Sequence, residues 1–152
     1  MISRVVYFNN RGEKKLFSRD ELSFGYRTSS FQKMKGAIVE VEGMLIGSQE
    51  AVQRQKAFLA SRAKTQPLAQ PSAGCCFKNP PEGSAGYFID QAGLKGKSIG
   101  GAQVSSLHAN FIVNTGGASA KDVLELLELI ETQVRQTSGV ELEREVRVIN
   151  GC

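Results

Sequence analysis

The stretch from Ser119 to Gly139 limits the fold of this chain more than any other. Ser119 can cap a helix, and Asp122, three residues on, completes an acidic form of the capping box. Val123, Leu127, Ile130 and Val134 recur at helical spacing and predict one buried stripe. Gly139 supplies a stop, and Glu131 with Arg135 forms an i,i+4 pair on the outer face. A helix with one apolar stripe must bury it against another element. The rest of the chain offers strands. Met1–Phe8 and Ala37–Ile46 read as strands, and Asn110–Asn114 as a short apolar one. Leu142–Ile149 reads as a final strand, with Leu142, Val146 and Val148 on one side and Glu143, Glu145 and Arg147 on the other. Ser18 to Leu22 reads as a short helical start, with Ser18 as cap and Glu21 three residues later. Ser48 caps a helix running to about Ala63, with Val52, Gln55, Leu59 and Arg62 along one stripe, and Pro67 ends that region. Asn9–Gly12 reads as a turn and Gly25–Ser29 as a loop. Ala85–Leu94 is a helix stopped by Gly96. Strands and helices mix without regular alternation, so the class is α+β: a mixed or antiparallel sheet with packed helices.

A chain of 152 residues with 41% hydrophobic and 22% charged residues suits one domain or two small ones. No window approaches the roughly 18 apolar residues of a membrane span. The apolar part of Met1–Tyr7 is too short for a secretory signal, so a cytoplasmic protein without a membrane partner is expected. The net charge of +4 mildly favours anionic partners. Lys and Arg are dispersed and no RNA-binding aromatic motif occurs, so no nucleic-acid partner is expected. The cysteines are Cys75, Cys76 and Cys152. Two adjacent cysteines cannot staple distant segments to each other, and the odd count argues against a disulfide framework. With one histidine, His108, no metal site is expected.

Residues 65 to 81 hold all four prolines and form either a linker or a rigid functional loop. Within them runs Ser72-Ala73-Gly74-Cys75-Cys76-Phe77-Lys78-Asn79. Gly74 permits a tight turn, and an extended Cys75-Cys76 pair points one thiol inward and the other to the opposite side. An ordinary thiol, with a pKa near 8.5, can donate a proton at neutral pH. Beside Lys78 it could equally serve as a nucleophile. Glu145 is a carboxylate deep in the final strand. Arg27, next to Tyr26 on a glycine-started loop, can bind an anion or a planar ring system, or simply lie on the surface. Lys95-Gly96-Lys97-Ser98-Ile99-Gly100-Gly101 joins close backbone approach to positive charge, as a diphosphate requires, but matches neither the Walker A nor the dinucleotide fingerprint. His108 and Asn110 are polar groups entering a strand.

The chain contains, in order, Phe24-Gly25-Tyr26-Arg27-Thr28-Ser29-Ser30-Phe31, Gln66-Pro67-Leu68, Ser72-Ala73-Gly74-Cys75-Cys76-Phe77-Lys78-Asn79-Pro80 and Ala85-Gly86-Tyr87-Phe88-Ile89-Asp90. Then come Gly93-Leu94-Lys95-Gly96, Ile99-Gly100-Gly101-Ala102-Gln103-Val104-Ser105, His108-Ala109-Asn110-Phe111-Ile112-Val113-Asn114 and Leu142-Glu143-Arg144-Glu145-Val146-Arg147. Together these segments resemble the C-terminal half of the UDP-N-acetylenolpyruvoylglucosamine reductases (MurB), flavoenzymes of peptidoglycan synthesis.

The resemblance implies an oxidoreductase chemistry. NADPH reduces a bound FAD, and the flavin passes hydride to the vinyl carbon of UDP-N-acetylglucosamine enolpyruvate, giving UDP-N-acetylmuramate. Arg27 matches the family's arginine that polarises the substrate carboxylate, and Glu145 the glutamate that assists at the same centre. Cys75 stands where the family usually has the serine that protonates the intermediate, and a thiol is the more acidic donor. Tyr26, Lys78, Asn79, Lys95 and His108 are implied substrate-binding positions. Residues 1–64 resemble the back part of the FAD-binding domain, and residues 65–152 the substrate-binding domain.

The family's glycine-rich loop for the FAD pyrophosphate and its Met-Asn-Ala-Gly-Ala stretch do not occur in the sequence. The resemblance therefore implies a fragment or truncated product that binds FAD poorly alone and is completed by a separate flavin-binding half. The rival expectation is a nucleotide-sugar-binding module without a redox step. A thiol-dependent redox protein fits less well, because there is no CxxC motif.

Overall fold

The computed structural model describes residues 1–149; Cys152 lies outside the described residues. The elements follow in chain order. They are β1 (Ile2–Asn9), β2 (Lys14–Ser18), a 3₁₀ turn (Arg19–Glu21), β3 (Phe24–Gly25), β4 (Thr28–Ser29), a second 3₁₀ turn (Ser30–Lys33) and β5 (Gly36–Gly43). Then come α1 (Gln49–Thr65), β6 (Ser72–Cys75), α2 (Ala85–Gln91), β7 (Ser98–Ile99), β8 (Ala102–Val104), β9 (Phe111–Asn114) and α3 (Ala120–Ser138). The chain divides into two units, Met1–Val52 and the part from Gln53 onward, with the division inside α1. Strand pairings are antiparallel in both units, and the class is α+β. Among the described residues no helix is long and apolar enough to cross a membrane.

The first unit is a three-stranded sheet in the order β2-β1-β5. Its buried residues are Val5, Val6, Tyr7 and Leu22. Tyr7, Phe17 and Phe31 pack ring against ring, with centroids 5.6 to 6.1 Å apart. The helical start expected at Ser18 is a single 3₁₀ turn, in which Glu21 accepts from both the backbone and the hydroxyl of Ser18. Those bonds hold the Glu21 carboxyl below its ordinary range. Gly25–Ser29, read as a loop, is the core of the small β3–β4 hairpin. β2 carries no strong apolar alternation, and its pairing with β1 comes from register rather than local pattern.

The second unit stacks α2 and α3 on a four-stranded sheet in the order β6-β9-β8-β7. α3 begins and ends where its caps dictate. Ser119 accepts from Asp122 N–H at 3.1 Å, and Asp122 accepts from Ser119 N–H at 3.0 Å. Gly139 closes the helix at φ 72°, in the left-handed region that a side chain disfavours. Leu126, Leu127, Ile130 and Val134 are its buried residues, and Val123 is partly buried. They meet Phe77, Ile89, Val104 and Ile112 in one continuous core.

Two expectations are corrected. The segment Leu142–Ile149 is not a strand: it makes one isolated bridge, Arg144 with Phe77. Beyond that bridge the N–H groups of Glu145 and Val146 both turn to the carbonyl of Cys76, at 2.8 and 3.4 Å. Two residues against one is the pattern of a β-bulge, and it ends a regular ladder. Glu131 does not pair with Arg135. It pairs with Arg144 through two bonds, a fork that outcompetes a flexible i,i+4 contact, and Arg135 reaches Glu141 at 3.8 Å. The helix expected after Ser48 is α1, and none of its residues is buried.

Candidate functional site

Gly74 takes φ 83°, a conformation glycine adopts without strain. It sits in the irregularity of β6 between Ser72 and Cys75, whose partners on β9 are Val113 and Phe111. This kink orients the two thiols. Cys76 points into the core at 3% exposure, while Cys75 is half-buried. Burial pushes the Cys76 thiol up to about 11, with the neighbouring Cys75 adding to the shift. Cys76 is therefore an inert core residue at neutral pH, and Cys75 remains as the candidate for chemistry.

The strand edge that follows is held on both sides. Asn110, 3% exposed, acts as a surrogate strand. Its amide oxygen accepts from Phe77 N–H at 2.9 Å, and its amide nitrogen donates to Phe77 C=O at 2.8 Å. The Asn110 carbonyl accepts from Cys76 N–H at 2.8 Å. On the other side runs the 143–146 segment, with Lys78 N–H on the carbonyl of Glu143 and Glu145 N–H on that of Cys76, both at 2.8 Å. The backbone thus sets Cys75 and Glu145 on directly paired segments of one unit. Lys78 Nζ is engaged by the carboxylate of Glu143. The sequence marks Asn110 only as a polar group entering a strand, a primary amide beside the apolar run Phe111-Ile112-Val113, and gives no sign of its partner Phe77.

Asn79, Lys95 and His108 gather around α2. The Asn79 side chain accepts from Ala85 N–H at 3.0 Å, satisfying a donor of the first helical turn. Lys95 Nζ meets Asp90 Oδ2 at 2.6 Å. Ser105, buried, accepts from the N–H groups of Leu107 and His108 and shapes the turn that presents the imidazole. His108 Nδ1 accepts from Asn110 N–H at 3.2 Å, and its ring lies edge-on to Phe111 at 4.9 Å. Burial, and secondarily the charge of Lys95, lowers its pKa, so the ring is neutral at pH 7. Gly86 lets it come close, since a Cβ there would sit 3.3 Å from His108 Cε1. His108, Lys95, Asp90, Tyr87 and Ser84 line one open polar cleft of about 230 Å³.

Tyr26 and Arg27 belong to the first unit. They form the two-residue turn joining β3 to β4, where Phe24 pairs with Ser29 and Gly25 with Thr28. Arg27 has φ 56°, the one non-glycine residue with positive φ among those described. Side chains rarely occupy that region outside functional or strained positions. Its carbonyl accepts from Gln32 Nε2 at 3.0 Å, and both turn side chains are exposed.

The glycine cluster does not form a phosphate cradle. A Cβ on Gly100 would fall 2.4 Å from Asp122 Oδ2, and one on Gly101 would fall 2.5 Å from Ala118 N. Gly101 N–H points at the Asp122 carboxylate, 3.3 Å away. The close approach of this backbone serves the cap of α3, and the carboxylate there would repel an anion. The Gly100-Gly101 backbone therefore offers no cradle to an FAD pyrophosphate, and among the described residues no group of three His, Cys, Asp or Glu side chains is placed for a metal ion.

Residues 66–149 match the family described as UDP-N-acetylenolpyruvoylglucosamine reductase, C-terminal domain. The UDP-N-acetylenolpyruvoylglucosamine reductase of Protochlamydia amoebophila is 50% identical over 145 residues, which are 95% of this chain and 48% of that protein. The protein of the same description from Chlamydia abortus is 45% identical over 149 residues, 98% of this chain and 50% of that protein. Among solved structures, the UDP-N-acetylenolpyruvylglucosamine reductase (MurB) from Thermus caldophilus superposes with a TM-score of 0.73 at 40% identity, covering 95% of this chain and 52% of that one. The chain spans about half the length of the curated relatives it matches.

Proposed function

The chain belongs to the UDP-N-acetylenolpyruvoylglucosamine reductase family, and we propose that it forms the part of such an enzyme that grips the substrate and delivers a proton to it. The substrate is UDP-N-acetylglucosamine carrying an enolpyruvyl ether. Its reduction adds a hydride at the vinyl carbon and a proton at the carbon bearing the carboxylate. FAD, when bound in the holoenzyme and reduced by NADPH, supplies the hydride. The Gly100-Gly101 backbone does not fit its pyrophosphate, and the roles assigned to the residues of this chain are binding and proton delivery.

In this reading the Arg27 guanidinium, on its strained turn, pairs with the substrate carboxylate in a two-point contact and steadies the charge that develops beside it. Cys75 Sγ–H gives its proton to the adjacent carbon, and the Glu145 carboxyl group assists at the same centre. Lys95, whose ammonium pairs with Asp90 in the lining of the polar cleft, and His108, through its ring N–H, contact the diphosphate and sugar. Tyr26, Lys78 and Asn79 complete the substrate contacts.

One observation carries this reading: the bulge that pairs Glu145 with the carbonyl of Cys76 sets the carboxylate-bearing and thiol-bearing segments side by side. Calorimetric titration of UDP-N-acetylglucosamine enolpyruvate into the chain tests it. Saturable binding is expected, weakened about tenfold or more by Lys95→Ala. A flat titration up to millimolar ligand would remove the reading. The non-catalytic alternative, a nucleotide-sugar-binding module, draws on the polar cleft lined by Lys95 and His108. It predicts the same binding, but no substrate-dependent NADPH oxidation when FAD and a flavin-binding half from a relative are added.

A further inference from the structure

The bulge frees Glu145 from the alternation of a ladder, so its direction depends on what anchors its neighbours. Val146, after it, packs on the core. Arg144, before it, turns to α3 and takes both oxygens of Glu131, Nε to Oε1 at 2.5 Å and Nη2 to Oε2 at 2.7 Å. The two side chains are 30% and 29% exposed. Other ion pairs on α3 are single contacts: Lys121–Glu125 at 3.6 Å and Arg135–Glu141 at 3.8 Å. Partly exposed pairs add little to stability, but a planar fork restricts direction as a single contact cannot. The remaining charged groups on these elements are Lys78 and Glu143, which pair with each other, Asp122 in the cap of α3, Glu128 on α3, and Arg147.

We infer that the Glu131–Arg144 pair is a positioning device, which holds the bulged segment so that the Glu145 carboxylate faces the Cys75 thiol. The inference rests on the reading of Cys75 and Glu145 as a proton-delivery pair. Arg144 and Glu131 touch no substrate in it; they act through Glu145.

The test needs no ligand. The rate of Cys75 alkylation by iodoacetamide is followed against pH, site by site, by mass spectrometry of the intact 152-residue chain. A facing carboxylate disfavours the thiolate, so Glu145→Gln lowers the midpoint by about one pH unit. Arg144→Met, and Glu131→Gln from the helix side, lower it comparably if they release Glu145. The double variant Arg144→Met/Glu145→Gln then goes no lower than Glu145→Gln alone. The exchange Glu131→Arg/Arg144→Glu restores the wild-type midpoint, while Arg144→Lys, which keeps the charge and loses the fork, does not. The sign is decisive: losing the Arg144 cation without moving Glu145 would raise the midpoint. A raised or unchanged midpoint in Arg144→Met overturns the inference, and so does a Glu145→Gln variant indistinguishable from wild type. Circular dichroism of each variant excludes unfolding as the cause. Failure of the wider reading shows separately, as absence of ligand binding by the wild-type chain.

Discussion

The two units treat apolar strand residues in opposite ways. In the second, Ile112 on β9 and Val104 on β8 are buried in one core with residues of α2 and α3. In the first, β5 carries Ile38, Val39 and Val41 at 47%, 58% and 54% exposure. A sheet in this class stabilises itself by covering one face with helices. The second unit does so with its own capped helix, and the first holds its interior with Val5, Val6, Leu22 and an aromatic trio. The lesson concerns where mutations should be felt. Energetic weight lies in the unit that carries Cys75, Glu145, Lys95 and His108, whereas Arg27 stands on a small hairpin of the lighter unit.

The sharpest way to break this contrast is a matched truncation. Leu127→Ala, 1% exposed, is expected to cost about 3 to 4 kcal/mol in urea unfolding. Val41→Ala should cost less than about 0.5 kcal/mol. Equal losses would show that β5 is covered as fully as α3. Next in size is Asn110→Ala, which leaves Phe77 N–H and C=O without their partners. A loss of about 2 to 3 kcal/mol is expected, together with faster amide exchange at Phe77 and Lys78 but not at Val5 or Val6.

The Cys76 thiol sharpens the contrast by pH. Its pKa is raised in the fold, from 9.0 to about 11, so the folded state keeps a proton that the unfolded chain releases. Stability is complete below pH 9 and is lost as pH climbs toward 11, by on the order of 2 kcal/mol. Cys76→Val should flatten that slope, and residues 1–52, which contain no cysteine, should not contribute to it. The smallest effect is expected at Arg4, whose contacts to Glu40 and Glu42 lie on the exposed face of the first sheet. Arg4→Ala should change unfolding by less than about 0.5 kcal/mol, and less still at high salt.

The order of the motifs along the chain was enough to indicate the family. Local pattern also reached much of the second unit. The caps of α3, its buried face, and the division of labour between two adjacent thiols follow from residues within a few positions of one another. It failed where alternation was read as proof of a strand. Leu142, Val146 and Val148 alternate well, yet Val148 is 56% exposed and the segment makes one bridge. A bulge is a two-against-one arrangement, and only the partner strand reveals it. The glycine cluster failed in the other direction: Gly100 and Gly101 do serve a close approach, but to Asp122 and Ala118 rather than to a diphosphate.

By itself the sequence determined the elements whose hydrogen bonds close within a turn or two: Ser119 on Asp122, Glu21 on Ser18, Gly139 at a helix end. It also determined which residue types the candidate site has at its disposal. Only the tertiary structure decided their partners. Phe77 bonds Asn110 across 33 positions, Lys78 pairs with Glu143 across 65, and Glu131 takes Arg144 rather than Arg135, the helical neighbour that periodicity had offered it. Contacts that close locally depend on backbone geometry every chain shares. Contacts that close over long loops depend on register and packing, which arise from the whole core at once.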